Sequence, residues 1–231
     1  AVRASCNILV AGAKGVGKTT LLRCLLNEVP ADERIITIED SLELGIERYA
    51  DLHPDVESIE ARPPNSEGRG EFTLADGVYE ALRMKGRVVV GETRGPEVVP
   101  MLKALSSGDD GSLSTIHAMS SANVFQRLKM YVRMAPDPFP VDVAAEMIAE
   151  AIHFVVFLSW DQSTPPRRRV QSVREVVGVD GHHVVTNEVW APDALGRAVP
   201  HARLTDGAER RLARAGFDLA LRDRAEGWWR R

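Results

Sequence analysis

The chain lacks several sequence features that would each indicate one class of protein. No apolar run approaches the ~18 residues that a membrane-spanning helix needs, and no secretory signal pattern is visible. The two cysteines, Cys6 and Cys24, are expected to be reduced and buried, as in a cytosolic protein. The formal charge is −4, so the composition gives no reason to expect nucleic-acid binding. Neither an internal repeat nor a zinc-binding cysteine cluster is present.

What is present is the composition of a globular protein. Hydrophobic residues make up 44% and charged residues 27% of the 231 positions, which suits one large or two small domains with a real core. Apolar runs alternate with helical patterns up to Ile152, which predicts an α/β fold with a mostly parallel sheet covered on both faces. After Ile152 the strands are typical of an antiparallel edge, with Asp180 and Gly181 as a hairpin turn.

The stretch GAKGVGKTT, residues 12–20, fits the P-loop pattern and lies between an apolar run and a helical one. Glycines in such a turn let backbone N–H groups converge on phosphate oxygens at the start of a helix. We therefore expect ATP and Mg²⁺, with Lys18 on the β- and γ-phosphates and the Thr19 hydroxyl on Mg²⁺. The predicted nucleotide-binding residues are Gly12, Ala13, Lys14, Gly15, Val16, Gly17, Lys18, Thr19 and Thr20.

A second lysine, Lys14, lies within the same turn. Membrane-associated partitioning ATPases carry an extra lysine directly after the first glycine of the loop, but that position is Ala13 here. Lys14 comes one place too late for that role. We interpret it as a solvated lysine that adds positive potential near the phosphates.

Acidic residues at two strand ends are candidates for the Mg²⁺ shell and for activating water. Glu92 ends the buried run VVVGE, and Gly91 stands where many P-loop ATPases have an aspartate. Glu92 is therefore the preferred general base or water-polarising residue. Glu39 and Asp40 close the run TIED, and one or both are expected to reach Mg²⁺ through water, with Glu39 as the next candidate base. A plain acid at a strand end is the alternative for each.

Further motifs extend the pattern beyond the P-loop. In chain order, GAKGVGKTT, TIEDSLEL, EARPPNSEGRGEFT, ALRM, VVVGETRGPE and SSGDDGSLSTIHA resemble the motor-ATPase domain of the type II/type IV secretion and pilus superfamily. The chain is most similar to the CpaF-like ATPases of tight-adherence (Tad) systems, over roughly residues 7–190. The resemblance implies a RecA-like core, a hexameric ring, and ATP hydrolysis that drives pilus assembly, pilus retraction or secretion. It also implies an inner-membrane platform protein as partner, at the cytoplasmic face of that membrane.

The resemblance assigns roles to particular residues. It makes Glu39 and Asp40 the acidic box, Glu92 the Walker B glutamate, and His117 a sensor of the γ-phosphate. Phosphoryl transfer gains from a nearby cation, so Arg94 is added as a catalytic candidate and Arg62 as an inter-subunit contact. The catalytic candidates are thus Glu92, Lys18, His117, Arg94 and Glu39, and the metal candidates are Thr19, Asp40 and Glu39. The runs PPRRR and WWRR are interpreted as solvated surface and tail.

The chain departs from that family in places. Asp109 stands where relatives usually have histidine, and the family's N-terminal domain, which closes over the nucleotide, is not among these residues. We therefore expect a fragment or a shortened homologue. Residues 1–191 are predicted to form the RecA-like domain, and residues 192–231 an Ala/Arg-rich, partly mobile tail with a weak helix at 206–215.

Two other functions stay open. One is a conjugative or DNA-translocating ATPase with a similar core, and the other is a nucleotide-gated assembly protein with little hydrolysis. A G-protein is excluded because no asparagine is followed by lysine, so the guanine-reading motif is missing. An ABC ATPase is disfavoured because the run LSSGDDG follows Glu92, whereas its signature motif would precede that strand.

Overall fold

The computed structural model describes residues 1–106 and 110–222. Asp109 and the run WWRR, which the sequence singled out, lie outside the described residues. The strands are β1 (Ile8–Gly12), β2 (Ile35–Glu39), β3 (Val56–Glu60), β4 (Arg87–Thr93), β5 (Leu113–His117), β6 (Phe154–Trp160), β7 (Arg168–Asp180), β8 (His183–Pro192) and β9 (Ala198–Pro200). They form one sheet in the order β3-β2-β4-β5-β1-β6-β7-β8-β9.

Helices connect the parallel strands and cover the sheet. They are α1 (Lys18–Leu26), α2 (Leu74–Ala81), α3 (Val98–Ser106), α4 (Asn123–Met134), α5 (Val141–Ala151) and α6 (Asp206–Arg214). Short 3-10 turns lie at Val2–Ala4, Ile46–Tyr49 and Leu219–Leu221. Thr73 caps α2: Asp76 N donates to its Oγ1 at 3.1 Å, and Thr73 N donates back to Asp76 Oδ2 at 2.8 Å. None of the described helices is long and apolar enough to cross a bilayer.

The part of the sheet from β3 to β6 is parallel. Strand β1 lies between β5 and β6, with Gly12 paired to His117 on one side and to Leu158 on the other. The carboxyl ends of these strands therefore meet at one edge, where the P-loop begins. The predicted α/β fold with a mostly parallel sheet is confirmed, and the edge is where ligands bind in open α/β sheets.

The predicted antiparallel edge after Ile152 is confirmed, and β6 joins it to the parallel part of the sheet. Strand β6, the first after Ile152, runs parallel to β1 and antiparallel to β7. The reason is that α5 precedes β6 and supplies the long crossover that a parallel neighbour needs. In the β7–β8 hairpin, Asp180 pairs with His183, so the turn is Gly181 and His182, one residue later than predicted. Gly181 takes the left-handed φ of 55° that such a tight turn uses.

Two hydrophobic cores lie on opposite faces of the sheet because successive strand residues point to opposite sides. In β4, Val88 and Val90 pack with α2 to α5, whereas Val89 packs with α1 and α6. Both faces are covered, as predicted. Leu204 and Leu212, from the segment that showed little core material in the sequence, are buried in the second core.

The two cysteines differ in burial. Cys6 is buried next to β1, as expected, but Cys24 is exposed, so the prediction was wrong for Cys24. Helix α1 packs through Leu22 and Leu26, four residues apart on one face. Cys24 lies midway between them and therefore points to the solvent side of the helix.

Candidate nucleotide-binding site

A cavity of about 430 Å³ opens at the carboxyl edge of the parallel strands. The P-loop forms one wall with Gly15, Gly17, Lys18, Thr19 and Thr20. The ends of β2 and β4 add acidic residues to the lining, including Glu39 and Glu92. The site thus brings backbone amides, a cation and carboxylates to one cavity, the groups that a phosphate chain with a divalent cation requires.

The backbone of the P-loop depends on two of its glycines. A Cβ on Gly12 would lie 2.6 Å from the carbonyl oxygen of Leu158, so any side chain there would push β1 away from β6. Gly17 precedes the first turn of α1 with a left-handed φ of 98°, which side chains with a Cβ rarely adopt. Together they leave the loop amides and the start of α1 open to a ligand.

Lys18, His117 and Glu92 are brought together at the end of the P-loop. Lys18 Nζ donates to the carbonyl of Ala13 at 3.2 Å and to His117 Nδ1 at 3.1 Å, and it lies 3.9 Å from Glu92 Oε1. Because Nδ1 accepts from the ammonium group, we assign the ring proton to Nε2, which lies 3.0 Å from Glu92 Oε1. Burial lowers the pKa of Lys18, and the nearby Glu92 only partly offsets this.

Glu39 is buried beside Gly91 and faces the same cavity. Its Oε1 accepts hydrogen bonds from the backbone N–H groups of Glu43 at 3.2 Å and Leu44 at 3.0 Å. Burial raises the pKa of Glu39, although these two hydrogen bonds act in the opposite direction. A Cβ on Gly91 would lie 2.9 Å from Glu39 Cγ, so the glycine in the usual aspartate position makes room for a carboxylate from the next strand.

The remaining metal and arginine candidates also line the cavity. Arg94 Nη2 forms an ion pair with Asp40 Oδ2 at 2.8 Å, so each is the other's partner in this structure. Thr19 is half-buried on the P-loop side. In the described part of the chain, no group of three or more His, Cys, Asp and Glu residues could hold a metal by itself. Thr19 and Glu39 nevertheless fit Mg²⁺, which binds such sites through one or two side chains, waters and phosphate oxygens.

The other P-loop residues take different positions. Lys14 is exposed and does not line the cavity. Val16 is buried against Val10 and Leu158, where it anchors the loop to the sheet. Arg62 lies in an adjoining cavity of about 640 Å³, and its Nε donates to the carbonyl of Gly70 at 2.9 Å.

Arg168 is a residue of this site that the sequence analysis missed. It belongs to the run PPRRR, which is exposed as the sequence indicates, and it also lines the cavity beside Gly17. No local signal distinguishes it from Arg167 and Arg169. Its position follows from the β6–β7 hairpin, which brings the start of β7 next to the P-loop.

The parallel sheet and its strand, P-loop and helix junction define an α/β P-loop protein. The match of residues 1–159 to the family described as "Type II/IV secretion system protein" shows that the chain belongs to that family.

Individual relatives support the same assignment. A Mycobacterium tuberculosis protein whose name assigns it provisionally to conjugal transfer is 37% identical over 195 residues, which are 83% of this chain and 52% of the relative. The type IV secretion system protein PtlH of Bordetella pertussis is 36% identical over 177 residues, or 75% of this chain and 51% of PtlH. The crystal structure of the VirB11 ATPase of Brucella suis, solved with sulphate, has a TM-score of 0.65 and 30% identity over 74% of this chain and 48% of VirB11. The chain spans about half the length of the relatives it matches.

Proposed function

We propose that this chain is the ATP-hydrolysing motor domain of a secretion or conjugation machine. The observation that carries the proposal is the linked arrangement of Lys18, His117 and Glu92 at the end of the P-loop. These three residues come from α1, β5 and β4, and a plain structural P-loop turn would not need them to meet. Family membership supports the same assignment.

The contacts of Lys18 suggest how a phosphate would change the site. Its ammonium group is buried and held by one carbonyl, one imidazole and a distant carboxylate, which compensate its charge incompletely. A triphosphate would replace these partners with full negative charge and draw Lys18 away from Glu92. Glu92, still oriented by His117 Nε2, could then accept a proton from the attacking water. Thr19 and Glu39 are the residues that would hold Mg²⁺, which would supply positive charge to the phosphate chain.

The test separates binding from turnover. We expect Lys18→Ala to weaken Mg·ATP binding about 100-fold, because the buried cation is lost. Glu92→Gln should keep the affinity but lower phosphate release about 10²- to 10⁴-fold, because only the base is lost. Lys14→Ala, with its exposed side chain, should change affinity less than about tenfold. Glu146→Gln, exposed on α5, is the control for the acid substitution.

Equal phosphate release by parent and Glu92→Gln proteins would overturn the base assignment and make Glu39 the next candidate. Unchanged ATP affinity in Lys18→Ala would overturn the proposed function as a whole.

We further propose a hexameric ring that works with an inner-membrane platform protein at the cytoplasmic face of that membrane. Support for the type of machine comes from the relatives, whose names refer to conjugal transfer and type IV secretion. The motif resemblance to CpaF-like ATPases adds tight-adherence pilus assembly as the narrower alternative. Salt-dependent binding of DNA to the protein would favour conjugation, whereas its absence would favour pilus assembly or protein secretion. Sedimentation with and without ATP tests the ring.

A further inference from the structure

The cavity has a second end that the proposed hydrolytic residues do not occupy. Glu92 and His117 lie on β4 and β5, on one side of β1 in the sheet order. Arg168 lies at the start of β7, on the other side of β1, and lines the same cavity. A nucleotide whose γ-phosphate lies at Glu92 would extend along the P-loop toward the end that holds Arg168.

Arg168 lies between the P-loop and an aromatic ring. In the β6–β7 pairing it is opposite Trp160, which is two residues beyond the Leu158 that pairs with Gly12. Its Cζ is 5.0 Å from the centre of the Trp160 ring. Its Cδ would be 3.6 Å from a Cβ built on Gly17, so the aliphatic part of the side chain passes beside the P-loop. Trp160 is 48% exposed, which leaves the surface around Arg168 open.

The guanidinium group of Arg168 has no competing partner within the part of the chain that the structure describes. No ion pair or hydrogen bond of that group is found there, and its contact is the Trp160 ring. The next residue, Arg169, instead donates from Nε to Asp161 Oδ2 at 3.2 Å. A planar guanidinium with one face toward an aromatic ring can stack a second planar group on its other face.

The turn that precedes Arg168 is held in place by Asp161. Its Oδ1 accepts from Arg167 N at 2.8 Å and from Ser163 N at 3.1 Å. These hydrogen bonds, with that of the Ser163 hydroxyl as the largest contribution, hold the pKa of Asp161 well below its usual range. The β6–β7 turn is therefore held by a carboxylate that stays ionised, and this fixes the backbone that leads into Arg168.

We infer that Arg168, backed by Trp160, stacks on the purine base of the bound nucleotide. This inference rests on the proposed function, because it takes the γ-phosphate to lie at Glu92. Arg168 is a binding residue that contributes affinity through the base and leaves the phosphates to Lys18 and the loop amides. Stacking uses the face of the base, so it contributes to affinity without selecting one base by its edge.

The test compares two ligands that share the phosphates and differ in the base. Binding of Mg·ATP and of Mg·tripolyphosphate is measured by calorimetry for the parent, Arg168→Ala, Arg168→Lys and Arg167→Ala proteins. We expect Arg168→Ala to weaken ATP about tenfold and to leave tripolyphosphate unchanged. Arg168→Lys keeps the charge but loses the plane, so ATP should weaken nearly as much. Arg167, exposed and outside the cavity lining, is the matched control and should change neither ligand.

The outcomes distinguish this inference from the proposed function. If Arg168→Ala weakens both ligands equally and Arg168→Lys restores both, Arg168 is a phosphate contact and the stacking inference is wrong. If Arg168→Ala leaves ATP affinity unchanged while Lys18→Ala weakens it about 100-fold, the inference fails and the proposed function stands. If the parent binds neither ligand, the proposed function itself fails.

Discussion

The two edges of the parallel sheet both contain buried polar residues, but the buried cation at the amino edge has more hydrogen-bond and charge partners than the one at the carboxyl edge. At the amino edge, the buried guanidinium of Arg87 donates to both Glu33 carboxylate oxygens, to the carbonyl of Val2 at 2.9 Å and to that of Gly111 at 3.2 Å. At the carboxyl edge, buried Lys18 has two hydrogen bonds and a carboxylate 3.9 Å away. Both cations are less than a tenth exposed. Burial lowers the pKa of Lys18, so its charge is compensated incompletely.

Two of the six histidines, His153 and His117, show the same contrast. His153, at the amino edge, accepts from the backbone N–H of Asn7 through Nδ1 at 2.9 Å, and its Nε2 lies 2.6 Å from Arg211 Nη1. His117, at the carboxyl edge, joins a lysine to a carboxylate beside an open cavity. The difference indicates that the amino edge holds the fold together, whereas the carboxyl edge keeps its charges available for a ligand.

The largest expected effect is on the amino edge. Asn7→Ala removes a side chain whose amide donates to the carbonyls of Leu105 at 2.7 Å and Ala151 at 2.8 Å and whose oxygen accepts from Gly111 N at 2.8 Å. We expect the free energy of unfolding to fall by ~3–5 kcal/mol, because buried polar groups lose their partners. Denaturant unfolding measures the change.

Two variants provide the comparison for Asn7→Ala. Asn27 is exposed at the end of α1, so Asn27→Ala should lower the free energy of unfolding by less than ~0.5 kcal/mol. Lys18→Ala, on the carboxyl edge, should lower the free energy of unfolding by less than ~1 kcal/mol. The reason is that it removes a buried cation whose desolvation is only partly offset by Glu92. A loss at Lys18→Ala as large as that at Asn7→Ala would break the distinction between the two edges.

An intermediate effect is expected where Gly91 makes room for Glu39. Gly91→Ala should destabilise the protein by ~1–3 kcal/mol, because the new methyl group would lie 2.9 Å from Glu39 Cγ. In a Glu39→Ala background the same change should cost much less, and the difference measures their coupling.

Gly178→Ala is the matched control for that cycle, since nothing lies within 4 Å of a Cβ at Gly178. If Gly91→Ala lowers the free energy of unfolding equally with and without the Glu39 side chain, the two residues do not compete for the same space. The free energy of unfolding is again the quantity measured.

The smallest expected effect is a change in pH dependence at the carboxyl edge. Burial raises the pKa of Glu39, so the folded chain holds this proton more tightly than the unfolded chain. Stability from this group is therefore greatest below the ordinary glutamate value of 4.5 and is lost as the pH rises through the folded-state pKa. Glu39→Gln keeps an acceptor for the amides of Glu43 and Leu44 but cannot ionise.

We therefore expect the stability of the parent to fall relative to that of Glu39→Gln as the pH rises from 4.5 through the folded-state pKa of Glu39. Urea unfolding at several pH values, without nucleotide or Mg²⁺, provides the measurement. Glu146→Gln should follow the parent curve. Parallel curves for parent and Glu39→Gln would mean that burial does not perturb this carboxyl group.

Much of the architecture was predictable because the signals are local. The run Val88–Val90 must be buried on both faces, and Thr73 with Asp76 carries its own capping geometry. Cys24 was mispredicted because helical periodicity, rather than apolar surroundings, decides which side of α1 faces solvent. The antiparallel edge was predicted, but the parallel pairing of β6 with β1 depends on the crossover through α5, which has no local signal.

The sequence determined the P-loop, its glycines and its adjacent lysine and threonine, because a turn that cradles phosphate is built from residues next to one another in the chain. The contact between Lys18 and His117, 99 residues apart, depends on β1 and β5 being neighbours. The position of Glu39 against Gly91 likewise depends on the pairing of β2 with β4. Strand order results from the packing of the whole chain, so the tertiary structure alone decided which distant charges face the cavity and brought Arg168 to its second end.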